Sequence, residues 1–225
     1  MVLSEWKKEL VKYVVHRRGL LFGEFKLKSG RISPYFFNLA YLINDGDGLQ
    51  KTAQAFTKSI NENITLQNFD YIQGPAYKAI PLAGAIAMTI HRDYGINKRW
   101  GYDRKESKEH GVSTEAWLVG DIRDRDRIIL VDDVITTGLT KINNIAKVKE
   151  YSRKSNLTFE ALFIFLDRQE QDQDGKDPVS FLEQEGLRVY SILQIKEVVE
   201  FLRDGLITSG QYESFQKYFQ EFGTG

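Results

Sequence analysis

The chain has 225 residues, enough for one domain with a substantial buried core, and its 31 lysines and arginines balance 31 aspartates and glutamates. A neutral total leaves no global basic field, so neither nucleic acid nor a membrane is expected as a partner. Without cysteine there are no disulfides, thiolate metal sites or cysteine nucleophile, and no apolar run has signal-peptide or membrane-span length, so a soluble cytoplasmic protein is expected.

In chain order, residues 3–18 place Leu3, Trp6, Leu10, Tyr13 and Val14 near helical spacing. Phe25 and Leu27 then alternate with Lys26 and Lys28, Ser29-Gly30 makes a turn, and Tyr35-Phe36-Phe37 is a second extended piece: a hairpin. After a loop at 44–48, residues 49–60 read as a helix and 69–72 as a short strand leading to Gly74-Pro75-Ala76-Tyr77-Lys78. A small-residue helix at 79–93 and a strand at 100–103 follow, then a charged loop. The strand at 128–131, its helix, a strand at 159–166, a helix at 179–185, a strand at 187–193 and helices at 195–204 and 208–222 complete the order. Such alternation predicts parallel βαβ units with right-handed crossovers.

Three stretches carry chemistry. Ile128-Ile129-Leu130-Val131 is an uninterrupted apolar run, the pattern of a strand buried on both faces of a parallel sheet. Asp132-Asp133, Val134-Ile135 and Thr136-Thr137-Gly138-Leu139-Thr140 follow at its tip, where ligands bind in open α/β sheets. The loop N–H groups and the next helix N-terminus make a site for an anion, most plausibly phosphate. The acids could hold sugar hydroxyls or a divalent cation. A capped helix and an ordinary turn are the plainer alternative, but consecutive strand residues face opposite ways, so packing alone explains two acids poorly.

In the second stretch, Arg104, Lys105, Lys108 and His110 place four potential cations on one loop, with Glu106 and Glu109 between them. A solvated charged loop is the plain reading, yet this one follows a strand on the side of the phosphate loop. In the third, Phe36-Phe37 can wall a flat ring and Arg168 can fork onto a carboxylate; plain packing and an ion pair with Asp167 or Glu170 are the alternatives. His16 and His91 lie in expected helices without a metal-spaced partner, and Leu139-Thr140-Lys141 lacks the glycine spacing of a nucleotide loop.

The string from Arg127 to Thr140 resembles the phosphoribosyl pyrophosphate (PRPP) signature of the type I phosphoribosyltransferases. Four further segments resemble orotate phosphoribosyltransferases and come in that family's order: 25–38, 74–78, 102–111 and 166–170. The likeness spans about residues 20 to 205. It implies an α/β, type I phosphoribosyltransferase fold in a single domain over 1–225. A parallel sheet at about 65–195 would be flanked by helices, with about 1–45 and the C-terminal elements forming a hood. It further implies Mg²⁺-dependent transfer of phosphoribosyl from PRPP to orotate, giving orotidine 5′-phosphate and pyrophosphate in pyrimidine biosynthesis.

Residue roles follow from the same resemblance. Asp132 and Asp133 would contact the ribose hydroxyls, and Val134, Ile135, Thr136, Thr137, Gly138, Leu139 and Thr140 would form the PRPP loop, with 136–140 cradling the 5′-phosphate. Tyr77 and Lys78 would serve the pyrophosphate, and Lys28 both substrates. Phe36, Phe37, Thr136 and Arg168 would meet orotate. Arg104, Lys105, Lys108 and His110 would arrive on a closing loop and stabilise the leaving group, with Lys108 or His110 as proton donor. Gly138 is expected because a side chain would obstruct approach to phosphate. Mg²⁺ would be held mainly by substrate, without a dedicated protein metal site. A homodimer sharing the loop between subunits is implied too. At 112–117, Val-Ser-Thr-Glu-Ala-Trp stands where the family has acidic and glycine residues, so a stiffer hinge pinned by Trp117 is expected. A transferase of another nucleobase and a non-catalytic PRPP-sensing regulator of the same fold are the rival readings.

Overall fold

The computed structural model describes residues 3–27, 29–106 and 117–224. Leu10, Val11 and Val14 recur at helical spacing and form the buried stripe of α1 (Glu5–His16). Strands β1 (Leu20–Lys26) and β2 (Ile32–Phe37) then pair antiparallel as the expected hairpin, its first strand starting at Leu20, ahead of the alternation at Phe25. Helix α2 (Gly46–Asn63) follows, its first turn held by Asp45, whose carboxylate accepts the Gly48 N–H at 2.8 Å.

The remaining elements build one sheet: β3 (Tyr71–Gln73), α3 (Ala79–Tyr94), β4 (Arg99–Asp103), β5 (Leu118–Val119), β6 (Arg127–Asp132), α4 (Leu139–Ser152), β7 (Thr158–Asp167), α5 (Pro178–Gln184), β8 (Val189–Gln194), α6 (Ile195–Leu202) and α7 (Ser209–Phe222). Strand order is β5-β4-β3-β6-β7-β8. Pairing is parallel except at the edge, where β5 runs antiparallel to β4. No strand was expected at 118–119. Its pairing depends on backbones in near contact, since a Cβ on Gly101 would lie 1.9 Å from the Val119 carbonyl oxygen.

Ile128, Ile129, Leu130 and Val131 are fully buried, as their unbroken apolar run implies. Alternation divides them. Ile129 and Val131 join the large core with Phe56, Leu82, Ile86 and Phe163, while Leu130 packs with Ile135, Leu182 and Leu187 on the opposite face. At roughly 1.5–3 kcal/mol per large side chain, this two-sided burial fixes the height of the strand tip that follows.

The hairpin is fastened to the C-terminal helix. Tyr35 is fully buried against Phe215 and Tyr218 of α7, with ring centroids 5.9 and 6.5 Å away. Thr224 N–H donates to the Gln169 carbonyl at 2.7 Å and Arg31 to the Gln171 carbonyl at 2.6 Å, tying α7, β2 and the segment after β7 together. Thr208 and Gln211 close a reciprocal capping box at the start of α7.

Candidate active site at the strand tips

Parallel pairing brings the carboxyl ends of β3, β4, β6 and β7 to one edge of the sheet. At the tip of β6, the two acids diverge. Asp132 accepts the Asp133 N–H at 2.8 Å on one oxygen and the Lys141 ammonium on the other. Asp133 accepts the Val134 N–H at 2.9 Å and the Lys78 ammonium. Burial pushes the Asp132 carboxyl above its usual range; Lys141 opposes that and the neighbouring Asp133 adds to it.

Val134 packs on the main core and Ile135 is buried beside Leu130, so packing anchors the loop at its middle. Thr136, Leu139 and Thr140 are exposed and Thr137 half-buried. The N-cap of α4 is Gly138, which has no side chain to accept from the first N–H groups of the helix. Gly138 has φ 76°, and a Cβ there would sit 2.9 Å from Cδ1 of Phe181 and 3.2 Å from Cγ of Leu182. The glycine is therefore required by α5 and by backbone conformation before any phosphate enters.

Beyond β3 the Ala76–Tyr77 peptide is cis, Tyr77 is 65% exposed, and the Lys105 ammonium lies 4.5 Å from the Tyr77 ring centroid. Thus Tyr77, Lys78, Lys105, Asp132 and Asp133 are brought together. The backbone N–H of Arg104 donates to the Trp117 carbonyl at 2.8 Å. Trp117 stacks on Tyr151 of α4 at 5.4 Å, with the Lys147 ammonium 5.2 Å from its ring, so one end of the charged loop is tied to α4. Lys108 and His110, with the rest of 107–116, and Lys28 lie outside the described residues.

At the tip of β7, Arg168 donates from Nη2 to Glu170 at 2.9 Å and from Nε to the Tyr35 hydroxyl at 3.3 Å. Tyr35 donates to the same carboxylate, and Tyr218 donates to its other oxygen at 3.1 Å. Burial pushes the Tyr218 phenol up to about 12 and holds that of the fully buried Tyr35 well above its usual range. The ion pair with Glu170 is thus present, and it fixes the plane of the guanidinium. Phe36 and Phe37 point to opposite faces: Phe37 stacks on core Phe165 at 5.5 Å, while Phe36 is 38% exposed and stacks on Phe25 at 5.5 Å. The two ends of the site are joined by backbone, since the Asp133 carbonyl accepts N–H bonds from Phe165 and Leu166, each at 3.1 Å.

Sequence reading named Glu170 as an alternative ion-pair partner of Arg168 but missed three participants: Lys141, Tyr35 and Tyr218. A lysine on the apolar face of a helix with Val148 was the available signal for Lys141; for the two tyrosines, only the fold brings them to Glu170.

Fold and strand-tip motif define a type I phosphoribosyltransferase, an α/β transferase class. The model of the phosphoribosyl transferase domain family matches residues 43–185. An orotate phosphoribosyltransferase of Buchnera aphidicola subsp. Acyrthosiphon pisum is 34% identical over 220 residues, covering 97% of this chain and 99% of the relative. One from Agathobacter rectalis is 33% identical over 231 residues, covering 98% and 99%. The solved orotate phosphoribosyltransferase of Francisella tularensis superposes with a TM-score of 0.81 at 29% identity, covering 96% of this chain and 100% of that one. The chain belongs to the orotate phosphoribosyltransferase family and is an enzyme of that type.

Proposed function

We propose that this enzyme transfers phosphoribosyl from PRPP to orotate, yielding orotidine 5′-phosphate and pyrophosphate in pyrimidine (UMP) biosynthesis, and does so in the cytoplasm. The observation that carries the reading is the two-ended site. An acidic tip with an uncapped helix N-terminus is linked through Phe165 and Leu166 to a half-buried, oriented guanidinium. The first end suits a ribose 5-phosphate and the second a flat acid.

In this mechanism the loop at 136–140 holds the 5′-phosphate, and Asp132 and Asp133 hold the ribose hydroxyls. Lys78, 45% exposed on its side chain, turns from Asp133 toward the diphosphate. Tyr77 borders the same place. Arg168, Thr136, Phe36 and Lys28 orient orotate, with Phe37 supporting the strand from the core. As pyrophosphate leaves, C1′ gains oxocarbenium character and N1 of orotate attacks the opposite face, inverting the anomeric configuration. Arg104, Lys105, Lys108 and His110 stabilise the departing charge, and Lys108 or His110 protonates it; a positioned acid of this kind contributes about 10²–10⁴-fold. The hard carboxylate oxygens of Asp132 and Asp133 would suit a divalent cation carried in on substrate, and Mg²⁺ there would supply charge neutralisation as the diphosphate departs.

The hairpin and α7, joined through Tyr35, form the hood over the base, within one domain. We also read the enzyme as a homodimer whose loop completes the neighbouring site, with no nucleic-acid or membrane partner. Trp100, which lies against Gly84, and Met88, one turn along α3, are 40% and 59% exposed and offer an apolar contact surface. Mixing Lys108→Ala with Asp133→Asn subunits should restore activity; a mixture as dead as its parents refutes sharing.

The test of function is loss of orotate absorption on adding PRPP and Mg²⁺. Turnover with orotate, abolished by chelator, is expected. Inertness toward orotate with turnover of another base favours the first rival, and PRPP binding without turnover of any base favours a regulator.

A further inference from the structure

The lysine beneath the acidic pair sits in an unfavourable place. Lys141 is the third residue of α4, where the macrodipole opposes a cation, and its side chain is only 7% exposed, so its charge has also lost water. No acid lies in the first turn of the helix to offset it. Replacing a buried ion pair with apolar residues is often neutral or stabilising, so fold stability does not account for this one.

Its surroundings are polar as well. Asn144, one turn further along α4, is buried with both amide atoms unpartnered among the described residues. The same holds for Gln73 at the end of β3, whose register partner Leu130 shares a strand face with Asp132. Buried polar groups on the underside of a ligand site are costs that folding did not remove.

The two acids above it are held unequally. Asp132 has both oxygens engaged, by the Asp133 N–H and by a buried lysine. Asp133 is paired instead with Lys78, whose side chain is 45% exposed and free to swing. We propose that Lys141 is the positioning residue of the acidic pair, clamping Asp132 from below as an oriented carboxylate while Asp133 exchanges its exposed lysine for the ligand. This rests on the reading of the pair as a ribose clamp. Adjacent carboxylates repel, and burial disfavours charge; the ammonium opposes both without reaching the substrate.

The experiment compares Lys141→Met, Asp132→Asn and the double variant, with thermal melts taken first. Lys141→Met should raise KM for PRPP about tenfold or more and leave KM for orotate within about twofold. In the Asp132→Asn background, Lys141→Met should add less than about twofold, because nothing remains to be clamped. Unchanged KM for PRPP in Lys141→Met, or equal losses in both backgrounds, overturns the proposal. If Lys141→Met fails to fold, Lys141→Arg decides. It should hold KM for PRPP within about threefold of wild type, and a loss equal to that of Asp132→Asn overturns the proposal. If wild type is inert toward orotate, the functional reading fails, and PRPP affinities measured by calorimetry on the same variants still decide the role of Lys141.

Discussion

Gly138→Ala tests how the phosphate loop is held. Two costs are visible. At φ 76° a β-carbon meets the backbone, about 1–2 kcal/mol for an L-residue. The same atom would lie 2.9 Å from Cδ1 of Phe181 and 3.2 Å from Cγ of Leu182. Leu182 is fully buried and cannot turn aside, so overpacking adds about 1–3 kcal/mol. Together the loss is about 2–5 kcal/mol, unless the loop lifts away from α5 to escape it. Lifting would move residues 136–140 relative to Asp132 and raise KM for PRPP more than KM for orotate. Urea unfolding with both KM values measures the two effects. A loss of stability under about 0.5 kcal/mol together with an unchanged KM for PRPP would refute the reasoning.

The other end of the site and the foot of the sheet give two more tests. Tyr218→Phe removes one donor to Glu170 and should cost about 0.5–1.5 kcal/mol in unfolding free energy. It should also raise KM for orotate several-fold without changing that for PRPP, and an equal rise in both would count against the account. Asp70 accepts from both Nε and Nη2 of Arg127 at 3.0 Å, and those bonds hold its carboxyl below the usual range. Both side chains are about a third exposed, so Asp70→Asn should cost about 1 kcal/mol at neutral pH. A lowered carboxyl stabilises the fold above its unfolded-state value and loses that contribution as pH falls through its folded value. The stabilities of wild type and variant, measured by urea unfolding, should therefore converge in acid; a gap that persists there contradicts the assignment.

What the sequence revealed depended on whether a signal was local. The run at 128–131 announced β6 because a central parallel strand is covered on both faces, and nothing nearby can override that. The acidic tip and small-residue loop were legible for the same reason: strand, turn and helix are contiguous. β5 was not, since two residues carry no periodicity and their pairing rests on close approach at Gly101. Gly138 stood out in sequence, but the constraint from Phe181 and Leu182 comes from a helix some forty residues later and needed the fold. Glu170 meets Tyr35 across 135 positions and Tyr218 across 48, so no spacing could have signalled their network. Phe36-Phe37 reads in sequence as one aromatic wall, whereas alternation along β2 turns Phe37 onto core Phe165 and leaves Phe36 exposed.

The central claim is one site with two ends, each holding its own substrate. Calorimetric titration of Arg168→Met and Asp133→Asn with orotate and with PRPP tests it most directly. Arg168→Met should weaken orotate by about tenfold or more and leave PRPP within about twofold, and Asp133→Asn should do the reverse. Equal losses of both ligands in both variants would contradict the division of the site.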